Sequence, residues 1–99
     1  MQAVRIDEKG RVLDAVASVS KDKNENLTWV ALRSGGPWKI TFDKNGSPFN
    51  PGTYTVAPGA WASTTKGPVT GNVGSTYKYR VRNATTNEVT DDPDVDVEP

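Results

Sequence analysis

Cysteine and histidine are both absent from this chain of 99 residues, and methionine occurs once, at Met1. Without cysteine there is no disulfide framework. Without histidine the chain lacks the side chain that most readily takes a proton near neutral pH. Zinc, copper and iron–sulfur sites lose their usual ligands together with these two residue types. Long apolar runs are missing as well. Nothing approaches the ~18 consecutive residues that cross a bilayer, so no membrane insertion is expected. The segment from Met1 to Gly10 is charged and shows no signal peptide. A cytosolic protein fits this, and so does a secreted or cell-surface one whose signal has been removed. Serines and threonines are plentiful, but no imidazole exists to activate one. A glycosidase would need two carboxylates across a cleft, whereas half of the acids gather near the C-terminal end. The chain is therefore expected to be neither an enzyme nor a cofactor binder.

The length points to a single domain over residues 1–99 with one modest core. Formal net charge is zero, but it is unevenly placed. All 12 basic residues lie at or before Arg82, together with six acids, so residues 1–82 carry a formal +6. The other six acids, Glu88, Asp91, Asp92, Asp94, Asp96 and Glu98, give the remainder −6. If the acidic stretch folds back, the two cancel.

Apolar residues recur with a period of two. Leu27, Trp29 and Ala31 alternate with Thr28 and Val30. Trp38, Ile40 and Phe42 alternate with Lys39 and Thr41. Tyr77, Tyr79 and Val81 would point inward while Lys78, Arg80 and Arg82 point to solvent. This is the pattern of half-buried strands, and no window carries a helical stripe. Turn residues separate the runs at Gly10, at Ser34 to Pro37, and at Asn45 and Gly46. Others stand at Pro48, Pro51 and Gly52, at Pro58 and Gly59, at Gly67 and Pro68, and from Gly71 to Gly74. Strands are predicted at 4–7, 12–19, 27–32, 38–42, 53–56, 62–69, 77–83 and 95–97. The expected fold is all-β, a two-sheet antiparallel Greek-key sandwich of about seven to eight strands.

The order of these signals resembles the cupredoxin-like fold. The segment Leu27 to Val30, a loop, and then Pro37, Trp38 and the strand to Phe42 look like that family's strand–loop–strand. Tyr54 to Gly59 and Gly74 to Tyr79 are similar to the stretches that precede its copper loop. The closing run Asp92 to Pro99 resembles the last strand of a copper-free bacterial offshoot. The resemblance covers about residues 12–99 and implies a Greek-key sandwich. An immunoglobulin-like sandwich shares the same pattern and is the alternative. The ligands do not carry over. Trp38 stands where the family's first histidine would follow proline, Val81 falls where its cysteine would be, and no histidine follows.

Among candidate contact residues, Trp29 reads as the core tryptophan between the sheets, and Trp38 as a cap on one end of that core. Trp61, between Ala60 and Ala62, is the one expected to reach solvent and mark a contact surface. Trp38, Trp61 and Tyr54 together could stack on a sugar. Arg33 belongs to the loop 33–38, which with the loop 57–61 is expected at a sandwich end. Asp91, Asp92 and Asp94 lack the spacing of a calcium loop and read as a solvated edge. Lys78, Arg80 and Arg82 lack interleaved aromatics, so no nucleic acid partner is expected. The stripe reads as a solvated face paired with the acidic stretch. The glycines form no phosphate-binding loop. Asn26 to Thr28 and Asn83 to Thr85 match the glycosylation acceptor pattern, which matters only in a eukaryotic secretory pathway.

These observations lead to a non-catalytic binding or structural module, monomeric, whose partner is an unknown protein or a glycan. A carbohydrate-binding module and an immunoglobulin-like assembly domain of a surface or phage structure are the alternatives.

Overall fold

The structure is a computed structural model that describes residues 2–13, 16–43, 46–49, 52–63 and 68–99. Among the described residues there are nine strands and no helix. They are β1 (Gln2–Ile6), β2 (Val16–Ser20), β3 (Leu27–Ala31), β4 (Trp38–Phe42), β5 (Thr53–Val56), β6 (Trp61–Ser63), β7 (Thr76–Asn83), β8 (Val89–Asp91) and β9 (Asp94–Glu98).

Two sheets pack face to face. The small one runs β1-β3-β6 and the large one β2-β9-β7-β4-β5, with β8 pairing beside β7. The all-β sandwich expected from the alternation is present. Its strand orientation is mixed rather than antiparallel throughout, because β1 pairs β3 in parallel and β2 pairs β9 in parallel. Alternation specifies which face of a strand is buried and leaves its direction open.

The predicted strands at 38–42 and 53–56 match β4 and β5. Two long expectations are shorter here. Of 12–19, Val16 to Val19 lie in β2, Val12 makes one bridge to Ile6, and Asp14 and Ala15 lie outside the described residues. Of 62–69, only Ala62 and Ser63 are in a strand, while 64–67 lie outside the described residues. The turn at Asn45 and Gly46 is described only at Gly46, whose N–H donates to the Asp43 carbonyl at 2.9 Å. β8 was not anticipated.

The core is aromatic and spans both sheets. Trp29 from the small sheet has 0% of its surface exposed. Its ring centroid lies 6.2 Å from that of Phe42, 5.5 Å from Tyr79 and 5.2 Å from Tyr54. Phe42 in turn meets Tyr79 at 5.3 Å and Phe49 at 6.3 Å. All five pairs are edge-on or tilted, as ring quadrupoles favour. Val4, Ile6, Val19, Ile40, Val56, Val81 and Val95 fill the space around them.

Candidate functional site

The three tryptophans part company. Trp29 is the centre of the core. Trp38 is 3% exposed and seals one end of the sandwich. It opens β4 directly after the cis Gly36–Pro37 bond. A Cβ placed on Gly10 would come 2.6 Å from Trp38 Cζ3, and one placed on Gly36 would come 3.0 Å from its Nε1. Two glycine turns therefore close over the indole. Thr90 of β8 completes the closure, its hydroxyl donating to the Gly10 carbonyl at 2.8 Å. Trp61 is 65% exposed.

Tyr54 turns inward on β5 and lays its ring against Trp29, half-buried. Burial pushes its hydroxyl above the usual tyrosine range. Trp38 and Tyr54 thus face inward from the large sheet while Trp61 faces outward from the small one, and no three-ring platform forms. Arg33 and Trp61 are brought to one corner instead. Gly59 donates to the Leu32 carbonyl at 3.1 Å, and Ala31 to the Ala60 carbonyl at 3.2 Å. A Cβ on Gly59 would lie 3.2 Å from Arg33 Cγ. Those contacts dock the loop 57–60 against 31–33 just before Trp61 enters β6.

The register then assembles a row across the outer face of the small sheet. Arg5 is opposite Val30, and Val30 is opposite Trp61. Leu13 extends the row, since its N–H donates to the Arg5 carbonyl at 2.9 Å. Its neighbour Val12 packs on the core, which turns Leu13 outward. Leu32 stands at the end of β3. Leu13, Leu32 and Trp61 are half of the six large hydrophobic residues exposed among those described. The sequence reading picked out Trp61 and Arg33 but missed Leu13, Val30 and Arg5. Only cross-strand register unites them, and register between distant strands is not written in the local pattern.

The outer face of the large sheet is different. Its residues are Thr53 and Thr55 on β5, Lys39 and Thr41 on β4, Thr76, Lys78, Arg80 and Arg82 on β7, Asp94, Asp96 and Glu98 on β9, and Ser18 and the exposed Val16 on the edge strand β2. The acidic stretch does fold back, as β8 and β9. Only Lys78 of the basic stripe is ion-paired among the described residues, at 3.3 Å from Asp94 and 3.7 Å from Asp92. The Asp94 carboxylate, with Asp92 beside it, raises the Lys78 ammonium above the ordinary lysine range.

A copper centre does not fit these residues. Trp38 and Val81 are both buried at the positions where the resemblance places histidine and cysteine ligands. No imidazole or thiolate exists anywhere in the chain. Among the described residues no three acids gather into a group that could hold a metal. Asp91, a candidate for calcium, instead accepts from the Val12 N–H at 2.8 Å. Asn83, in one glycosylation pattern, uses its side-chain carbonyl to accept from the N–H groups of Thr85 and Thr86. Comparison with protein-family models finds no match, and comparison with curated proteins finds none either.

Proposed function

We propose that this protein is a non-catalytic contact module, a metal-free cupredoxin-like sandwich that docks a protein partner on the outer face of its small sheet. The observation that carries the reading is the separation of Trp61 from the other two tryptophans. An indole 65% exposed adds little to the fold, while the row Leu13, Arg5, Val30 and Trp61 sets it beside the apolar Val30. Tryptophan and arginine are the residue types that most often anchor protein interfaces. Arg5 within the row and Arg33 at its margin suit a partner that sets carboxylates beside an apolar knob. The cupredoxin-like assignment rests on the strand–loop–strand around Trp38 and on the closing strand, and two packed sheets are compatible with it.

Stacking on a glycan is the weaker reading, because Trp61 is a single ring without Trp38 or Tyr54 beside it. Site-specific photocrosslinking distinguishes a genuine contact from a merely exposed ring. A photoreactive aromatic residue replaces Trp61 in one variant and Thr55, on the opposite face, in another. In cells of the source, the variant at position 61 is expected to give one discrete protein adduct that Arg5→Glu weakens, and the variant at 55 is expected not to. Equal adducts from both positions, or none from 61, would contradict the proposal.

A further inference from the structure

The large sheet presents its charges in a particular order. On β7 the outward residues are Lys78, Arg80 and Arg82, and on β9 they are Asp94, Asp96 and Glu98. The two strands are antiparallel, with Lys78 opposite Asp94 and Thr76 opposite Asp96. From the Lys78–Asp94 pair the two stripes therefore run in opposite directions. Arg80 and Arg82 lie two and four residues one way. Asp96 and Glu98 lie two and four residues the other way, so each charge has its opposite at a matching ~7 or ~14 Å from the pair. Lys39, directly opposite Arg82, adds to the basic end. Like charges placed directly across a ladder oppose sheet formation, and nothing among the described residues forms an ion pair with either of them.

We infer that this face docks a second copy of the chain. A two-fold axis lying in the interface, across the strands at the level of Lys78 and Asp94, turns the second copy end for end. It sets Arg80 of one copy over Thr76 and beside Asp96 of the other, and Arg82 beside Glu98, twice by symmetry, with Lys78 and Asp94 on the axis, which is an isologous contact. Thr41, Thr53 and Thr55 are short enough to let the faces approach. A polyanion is a poorer match, because the acidic end of the same face repels it and the chain carries no net charge to draw it in. Five strands of this length offer on the order of 400 Å² per copy, about half of a standard interface. The association is accordingly weak and salt-sensitive. It uses the sheet face away from Trp61, so its failure leaves the proposed partner contact standing, and the reverse also holds.

Sedimentation equilibrium of the full chain tests it, at protein concentrations up to about 1 mM and in about 20 or 300 mM salt. A monomer–dimer equilibrium that weakens ~10-fold or more at the higher salt is expected. Two charge-reversal variants sharpen the test, Arg80→Glu/Arg82→Glu and Asp96→Lys/Glu98→Lys. Each alone is expected to stay monomeric in low salt, and their equimolar mixture to associate one to one. A wild-type chain that remains monomeric in low salt at the highest concentration overturns the proposal, and that arm depends on no variant. Self-association of either variant at wild-type strength overturns it as well. So does a monomeric wild type retained on a sulfated polysaccharide through Arg80 and Arg82, which would give the face to a polyanion.

Discussion

The two outer faces of this sandwich are made by the same alternation and carry different chemistry. On the small sheet the outward row is Leu13, Arg5, Val30 and Trp61. On the large sheet it is mostly lysine, arginine, aspartate, glutamate and threonine, with Val16 exposed on the edge strand β2. A strand with one buried face needs only its inward residues for the fold, so the outward ones are free to vary. An outward face rich in charge and threonine is well hydrated, whereas an outward tryptophan leaves most of a large apolar ring in water. Half of the large hydrophobic residues exposed among those described, Trp61 the largest of them, lie on or beside the small sheet's outer face near the corner formed by Arg33 and the loop 57–60.

The sharpest break of this comparison lies between inner and outer tryptophans. Trp29→Ala removes the ring that joins Phe42, Tyr54 and Tyr79 across the sheets. A loss of ~3–5 kcal/mol is expected, which takes most of the stability available to a domain of this size. Urea denaturation followed by circular dichroism measures it, and a loss below ~1 kcal/mol would remove Trp29 from the centre of the core. Gly10→Ala strikes the seal over Trp38. Gly10 has φ +82°, and its new methyl would collide with Trp38 Cζ3 and the Thr90 side chain. A cost of ~1–3 kcal/mol is expected by the same melt. Trp61→Ala is expected to change stability by no more than ~0.5 kcal/mol. A large loss there would mean that Trp61 packs on the fold and is not presented to a partner.

The smallest effect concerns Lys78 and its two acidic partners on the charged face. Lys78 has its ammonium held above the ordinary lysine range by Asp94 and Asp92. A group whose folded pKa is raised contributes stability that is full below its unfolded value and is lost as pH climbs through the folded one. Lys78→Met should therefore lower the melting midpoint slightly at neutral pH. The gap between variant and wild type should close in strongly alkaline buffer. A gap that stays constant into alkali would show that Lys78 acts through packing of its stem.

Much of this architecture was legible in the sequence, and the exceptions have physical causes. Trp38, Ile40 and Phe42 alternate with polar residues in a strand bounded by proline and a turn, so β4 was visible to the residue. β8 was not, because Glu88 to Asp92 contains one apolar residue and buries almost nothing. It is held by pairing with β7 at a register shift and by the Thr90 hydroxyl, which donates to the Gly10 carbonyl. The parallel pairs β1–β3 and β2–β9 join residues 25 and 78 positions apart, and direction over such distances leaves no local mark. Trp61 was readable as the exposed ring from its alanine neighbours. The row around it, and the divergence of the two charge stripes from Lys78 and Asp94, needed the register.

The separation of one outward tryptophan from two inward ones can be measured in a single nitrogen–proton NMR spectrum with a soluble gadolinium chelate. The account predicts that the Trp61 indole signal broadens steeply while those of Trp29 and Trp38 hold their intensity. If the Trp38 signal broadens as fast as that of Trp61, the sealed end is open, and the contact surface drawn here is in the wrong place.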